Sequence, residues 1–312
     1  MKVYRALEAY EKGKKTVATI GTFDGLHLGH RTILDRLRSR ATEIGGETVL
    51  ISFHPHPRLV LFPDNNPLRL LHTLEEKIAM LEEIGIDKLL LIPFTREFSR
   101  MSSNVFIRDI LVQTVGIHHL CIGYDHHFGK NRTGGIEELR EYEPRYIQTV
   151  EEIPAQTIDD ANISSTKIRN ALLSGDVQMA QKYLGYQYSL AGEVVHGAKQ
   201  GRQFGYPTAN LKLDDPLKLI PTDGVYFVEA DIRGKTYFGM MSIGKKPTLG
   251  EHERALEVYL FDFSGDIYGD KVRVNFLEFL RPQQKFDSID TLIKAIDGDR
   301  DRCLKLIAER KA

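Results

Sequence analysis

Residues 16–30 read Thr16-Val17-Ala18-Thr19-Ile20-Gly21-Thr22-Phe23-Asp24-Gly25-Leu26-His27-Leu28-Gly29-His30: a β-branched run, a glycine-bearing turn and the opening of a helical pattern. The pattern continues with Ile33, Leu37, Ala41 and Ile44 on one face and stops at Gly45-Gly46. A strand that feeds a helix through a glycine turn presents backbone N–H groups at the helix start, and these attract phosphate. Gly25 and Gly29 let a nucleotide approach the backbone. His27 and His30, three apart with a glycine between, can both face one phosphorus and stabilise charge that develops there. An isolated pair at this spacing more often caps or satisfies a turn, so the strand-turn-helix setting carries the reading.

Working outward, a second strand is expected over 48–53. Thr73 and Glu76 form a capping box that opens a helix with Leu74, Ile78, Leu81 and Ile84 inward and Gly85 past its end. A strand over 88–92, a helix capped by Ser102 or Ser103 and a strand over 117–123 follow. This alternation predicts a parallel, doubly wound sheet with right-handed crossovers, whose ligand crevice lies at the strand carboxyl ends. Helices over 165–173 and 177–184 close this half.

After Gly185 the texture changes to short alternating runs: YSLAGEVV (188–195), GVYFVEADI (224–232), TYFGMMSIG (236–244), ALEVYLFDF (255–263) and KVRVNFLEF (271–279). These read as antiparallel strands, with Arg233-Gly234 as a tight hairpin turn. About six such strands suggest a small closed barrel or sandwich. A last helix runs from the cap at Ser288 to residue 309. The boundary falls near 185–188, dividing the chain into 1–185 and 186–312, as a length of 312 residues and a prior of about 150 per domain suggest.

The chain carries 42 basic and 43 acidic residues, a formal net charge of −1 and a pI near 6.8. That balance disfavours a broad polyanion-binding surface, so no nucleic-acid partner is expected. Cys121 and Cys303 supply neither a disulfide framework nor a four-thiolate zinc site. The opening MKVYRALEAYEKGKK has no apolar h-region, and no stretch approaches the roughly 18 consecutive apolar residues of a membrane span, so a soluble cytoplasmic protein without a membrane partner is expected. The lack of a repeat removes solenoids and propellers. His54, His56, His118, His119, His126 and His127 invite a zinc reading, but no pair stands at i, i+4 with a glutamate as in a zincin, and cysteine ligands are missing.

Ile163-Ser164-Ser165-Thr166-Lys167-Ile168-Arg169 starts another helix, where hydroxyls, backbone N–H groups and two cations converge. Read alone it is a cap with surface charge. Phe53-His54-Pro55-His56-Pro57 is a proline-stiffened strand exit. In the second half, glycines 192, 197, 201 and 205 precede Pro207-Thr208-Ala209-Asn210. Thr208 and Asn210 share one face of an extended segment, two neutral oxygens suited to magnesium. Along 255–263, Glu257 is in phase with Tyr259, Phe261 and Phe263, while Leu256, Val258 and Leu260 face the other side. A carboxylate on an aromatic face is partly desolvated, which would raise its pKa toward that of a general base.

GxFDGxHxGH resembles the signature of the HxGH nucleotidyltransferase superfamily, in which the histidines bind ATP phosphates during adenylyl or cytidylyl transfer. ISSTxIR resembles the partner ATP motif of the bacterial bifunctional riboflavin kinase and FAD synthetase family, and the resemblance spans the chain, including Gly123-Tyr124-Asp125, Phe128-Gly129 and Arg132. It implies a Rossmann-like FMN adenylyltransferase domain over 1–185 and a small antiparallel β-barrel riboflavin kinase domain with a terminal helix over 186–312. The implied adenylyltransferase ATP contacts are Gly21, Thr22, Phe23, Asp24, Gly25, His27, His30, Ser164, Ser165, Thr166 and Arg169, with flavin contacts from Phe53, His54, Pro55, Asp125 and Phe128. The implied kinase ATP loop holds Gly192, Gly197, Gly201, Arg202, Gly205, Thr208 and Asn210, with Mg2+ on Thr208 and Asn210. Glu257 is then the base that activates the ribityl 5′-hydroxyl. ATP is the co-substrate, and riboflavin, FMN and FAD are the substrates and products. Arg281-Pro282-Gln283-Gln284-Lys285-Phe286-Asp287 resembles the family segment before the last helix and receives no catalytic role. The chain departs from the family at His126, where many members have Phe, and at Tyr259, which replaces the His of ExHxFDF. Those departures leave open a protein active in one half only, or a flavin or nucleotide sensor without turnover.

Overall fold

A computed structural model describes residues 1–63, 68–124, 127–129, 134–154, 163–197, 205–245 and 254–311. Contacts divide the chain into two compact units, Met1–Ser165 and Thr166–Ala312.

The first unit runs β1 (Lys2–Tyr4), β2 (Thr16–Ile20), α1 (Leu28–Ile44), β3 (Glu47–His54), α2 (Pro57–Leu61), α3 (Leu74–Ile84), β4 (Lys88–Pro93), α4 (Ser103–Val105), β5 (Ile117–Gly123), α5 (Ile136–Arg140) and β6 (Thr149–Ile153). A π-helix over Phe106–Val115 continues α4. The strands form one parallel sheet in the order β1-β4-β3-β2-β5-β6. Every residue of β2 is buried because the sheet is covered on both faces. Ala18, Ile20, Val49, Ile51, Leu90 and Ile92 pack on one side with the π-helix, and Val17, Leu50, Leu89 and Leu91 on the other with α1 and α3. The sequence order reverses at β2, between β3 and β5, so the β2 carboxyl end opens into the switch-point crevice. The expected helix caps are present: Thr73 and Glu76 form the capping box, and Gly45 and Gly85 adopt the left-handed conformation that ends α1 and α3. β1, α5 and β6 were not anticipated. β1 is only three residues long, and β6, Thr-Val-Glu-Glu-Ile, places two acids in succession and so lacks an apolar run.

The second unit begins with α6 (Ser165–Leu173) and α7 (Val177–Leu184) and continues with β7 (Ser189–Val195), β8 (Thr208–Leu213), β9 (Gly224–Ile232), β10 (Lys235–Lys245), β11 (Arg254–Leu260), β12 (Lys271–Pro282) and α8 (Ile289–Lys311). The compact division thus falls before the helix pair, earlier than the boundary expected at 185. The cause is tertiary: the Leu172 carbonyl accepts from Thr222 N at 3.1 Å, and a Cβ on Gly175 would lie 3.3 Å from the Phe279 ring. The six strands close a barrel in the order β10-β11-β8-β7-β12-β9. Ile232 pairs with Lys235 across Arg233 and Gly234, whose φ angles of 50° and 77° give the two-residue turn that matches strand twist. Cys303 and Ile307 of α8 pack outside the barrel on Phe227, Met240, Phe261 and Leu277. Full burial of a side chain such as Phe227 contributes about 1.5–3 kcal/mol, so this seam holds the helix. Ser288 caps α8 by accepting from Thr291 N at 3.2 Å.

Candidate active sites

At the β2 carboxyl end, Gly21 N donates to the Ile51 carbonyl at 3.0 Å and the chain then turns sharply. Phe23, Gly25 and Leu26 all have positive φ, at 47°, 93° and 36°. Two are L-residues in a region that costs roughly 1–2 kcal/mol each, so surrounding contacts must hold the loop. Asp24, 3% exposed, accepts from Leu71 N at 3.0 Å and His72 N at 3.4 Å. Lys77 Nζ donates to the Thr22 carbonyl at 2.7 Å, and Ser165 Oγ to the Asp24 carbonyl at 2.8 Å. The last bond ties Ser165 to the first motif. Thr166 and Arg169 lie beyond the division between units, on α6, with Thr166 exposed and Arg169 half-buried.

His27 is the N-cap of α1, its Nδ1 accepting from His30 N at 3.3 Å. The two imidazoles stack with centroids 3.6 Å apart and planes 16° apart, and the Phe23 ring lies 4.8 Å from His30. Burial first, then the nearby His27, Lys77 and His72, hold His30 well below the usual histidine pKa. It is therefore a neutral imidazole at pH 7, and its buried Nδ1 has no hydrogen-bond partner among the described residues. A phosphate oxygen could fill that position. Burial also depresses Lys77, opposed by Asp24.

Phe53, next to the last residue of β3, meets Phe94 edge-to-face at 5.6 Å and Phe98 in a tilted arrangement at 5.9 Å. His54, the last residue of β3, and Pro55 after it are exposed, and His56 caps α2 by accepting from Arg58 N at 3.2 Å. Phe128 is 7% exposed and packs 5.8 Å from Phe106, inside the core. Asp125, His126 and Arg132 lie outside the described residues.

His119, Cys121 and Glu151 bring ligand-type atoms within 4.8 Å of one another on β5 and β6. Arg36 and Arg40 donate to Glu151 at 2.6 and 3.0 Å, and His119 lies 3.1 Å from it. Burial pushes this carboxyl up, but the two arginines and His119 outweigh it and hold it low. Two guanidiniums beside one carboxylate oppose a cation, and Cys121 is pushed up to about 12 by burial, so the cluster reads as a clamp between α1 and the sheet.

In the barrel, strand register assembles the second site. Glu257 stands opposite Asn210 and Tyr259 opposite Thr208 across β11 and β8, while β10 places Ser242 opposite Glu257 and Met240 opposite Tyr259. Directly opposed residues share a face with Cβ atoms about 4.5–5.5 Å apart, so the glutamate and both oxygen ligands form one patch. A cavity of about 250 Å³ beneath α8 is lined by Thr208, Glu257, Tyr259, Arg281 and Gln283 among others, and one of about 850 Å³ by Gly205, Pro207, Thr208, Tyr259 and the 262–268 loop. Asn210 lines neither; a Cβ on Gly197 would fall 2.1 Å from its Nδ2, so Gly197 covers it closely. Gly192 instead serves the barrel, since a Cβ there would meet the Lys212 carbonyl oxygen at 2.2 Å. Gly205 has φ +81°. Gly201 and Arg202 lie outside the described residues.

A family model described as FAD synthetase matches residues 9–167, and one described as riboflavin kinase matches residues 184–307. A bifunctional riboflavin kinase/FMN adenylyltransferase of Pseudomonas fluorescens is 40% identical, covering 91% of this chain and 90% of that protein. The chain belongs to the bifunctional riboflavin kinase/FMN adenylyltransferase family. A relative of the same name from Listeria monocytogenes is 35% identical, covering 91% of this chain and 90% of its own. A solved structure described as a macrolide-efflux protein from Streptococcus pneumoniae superposes with a TM-score of 0.86 at 32% identity, over 96% of this chain and 97% of that one. Among the described residues, no helix of this chain is long and apolar enough to cross a membrane.

Within the family frame, residues beyond the motifs enter both sites. Lys77 and His72 brace the adenylyltransferase loop although they sit at a helix start that reads as solvent-facing. Arg281 and Gln283, in a segment given no catalytic role, line the cavity with Glu257. Arg281 Nε bridges both oxygens of Asp299 at 3.0 and 2.9 Å, pinning α8 beside that cavity. The arginine at the first position of RPQQKFD was the available signal.

Proposed function

We propose that the barrel unit phosphorylates riboflavin and the N-terminal unit converts the resulting FMN to FAD, each with its own ATP. The observation that carries this is the register pairing Glu257 with Asn210 and Tyr259 with Thr208, with Glu257, Tyr259 and Thr208 lining one cavity. Glu257 takes the proton of the 5′-hydroxyl as its oxygen bonds to the γ-phosphorus; the bond from that phosphorus to the bridging oxygen breaks and ADP leaves. Thr208 and Asn210 offer neutral oxygens in the cradle closed by Gly197, a donor set that fits Mg2+ with its remaining ligands from water and phosphate. When bound, that ion supplies positive charge for the phosphate oxygens.

In the N-terminal unit an FMN phosphate oxygen bonds to the α-phosphorus of ATP, the bond to the bridging oxygen breaks, and pyrophosphate leaves. His27 and His30 stabilise the charge on the α-phosphoryl oxygens, while Ser164 and Ser165 hold the departing pyrophosphate. Gly21 to Gly25 supply backbone donors to ATP. Phe53, His54 and Pro55 form the flavin side, with Asp125 and with Phe128 supporting from the core. We place the border between the two catalytic modules at 185–186, where Gly185 ends α7 in the left-handed conformation. The free, buried Cys121 and Cys303 favour a cytoplasmic setting, and small molecules are the partners that the sites suit.

Incubating the pure protein with riboflavin, ATP and magnesium and separating the flavins by chromatography tests the reading. FMN followed by FAD is expected; formation of neither overturns it.

A further inference from the structure

Among the described residues, Thr208 and Tyr259 alone line both barrel cavities. They oppose each other across β8 and β11, two residues along each strand from Glu257 and Asn210. The larger cavity lies on the side of Gly205 and Pro207, the glycine-loop side that suits a nucleotide; the smaller holds Glu257 and so receives the acceptor hydroxyl. Thr208 and Tyr259 therefore border both cavities.

The Tyr259 ring is held for that position. It meets Tyr206 edge-on at 5.1 Å and Phe261 at 5.6 Å with planes 90° apart, and Tyr206 is itself tied to Asp297 of α8 and accepts from Arg300 at 3.3 Å. The Tyr259 hydroxyl makes no hydrogen bond to any described residue. A braced ring that borders both cavities and carries a hydroxyl is suited to contact a group transferred between them.

We propose that Tyr259 divides the nucleotide cavity from the acceptor cavity and that its hydroxyl donates to an oxygen of the phosphoryl group in transit. The 5′-oxygen bonds to the γ-phosphorus, the bond to the ADP oxygen breaks and Glu257 takes the proton; Tyr259 neither gains nor loses one. The hydroxyl bond strengthens as charge spreads over the phosphoryl oxygens, so it acts on kcat more than on ground-state binding. This rests on the barrel being the kinase site. Wild-type protein that makes no FMN would sink that assignment, whereas normal FMN formation in the wild type and an unaltered variant would sink only this one.

The test is steady-state riboflavin phosphorylation by Tyr259→Phe, Tyr259→His and Tyr259→Leu, with Tm and FAD formation from supplied FMN measured alongside. Tyr259→Phe keeps the ring and should lose about tenfold in kcat with both KM values within about twofold, as expected for one hydrogen bond made in the transition state. Tyr259→His, which restores a ring N–H donor, should recover more kcat than Phe. Tyr259→Leu should also release ADP in excess of FMN, because water reaches the opened passage. Wild-type kcat in Tyr259→Phe, a loss carried by KM alone, or a loss that tracks a fall in Tm would overturn the proposal. Should the leucine variant fail to fold, the phenylalanine variant, with its packing intact, still decides.

Discussion

The two candidate sites handle phosphate by different construction. In the N-terminal unit the site is a loop with three positive φ angles, held from behind by the buried Asp24 and Lys77 and by Ser165. In the barrel the candidate side chains lie on a regular sheet face, and strand register alone brings Glu257, Asn210, Thr208 and Tyr259 together. A loop site depends on a buried polar network that over-determines a strained backbone. A sheet site depends on pairing, which a one-residue slip would destroy entirely. The adenylyltransferase half should therefore be sensitive to residues that never touch substrate, and the kinase half mainly to those that do.

The largest effects should come from residues at the chemistry. Replacing both histidines, His27→Ala with His30→Ala, should lower FAD formation from FMN by about 10³-fold and leave FMN formation from riboflavin intact, as measured by separating the flavins. Equal loss of both reactions would erase the contrast. Thr208→Val with Asn210→Leu should cost FMN formation about 100-fold at fixed magnesium, with part recovered as magnesium is raised; no dependence on magnesium would remove those residues from the metal.

A smaller effect sharpens the contrast itself. Lys77→Met touches no substrate in this account, yet it deletes the donor to the Thr22 carbonyl. It should lower FAD formation by about tenfold by loosening the loop and cost about 1–3 kcal/mol of stability in denaturant unfolding, with the kinase rate unchanged. Unaltered FAD formation would show that the loop keeps its shape without the brace.

The smallest effect is on pH dependence. The folded protein keeps His30 neutral where the unfolded chain would charge it, and burial depresses His119 in the same direction. The unfolded state then binds more protons, so this stability is whole above the ordinary histidine pKa of 6.5 and is lost as the pH falls from there toward the folded values. Tm should fall between about pH 7 and pH 5, and fall less in His30→Gln. An identical slope would contradict the assigned burial of His30.

What was legible in the chain follows the same division. The glycine turn before α1, the Thr73–Glu76 capping box, the Arg233-Gly234 hairpin and the phase of Glu257 with Tyr259 are all set by neighbours within a few residues, and each is present. Counting alternating runs leaves a closed barrel or a sandwich, and the family resemblance implies the barrel that the strands form. The edge strand β1 and strand β6 escaped notice because pairing partners distant in sequence stabilise them. Lys77 and Arg281 escaped for a related reason: their buried partners, the Thr22 carbonyl and Asp299, are 55 and 18 residues away. The helix pair over α6 and α7 was read correctly as helices, but which unit they pack on depends on the Thr222 and Phe279 contacts, which no local pattern encodes.

That the chain holds two independent sites is tested most directly by Glu257→Gln, supplied in parallel with riboflavin and with FMN, each with ATP and magnesium. The account predicts that FMN formation from riboflavin is lost while FAD formation from FMN proceeds at the wild-type rate. Loss of both reactions in a variant of unchanged Tm, or FMN formation at the wild-type rate, would contradict it.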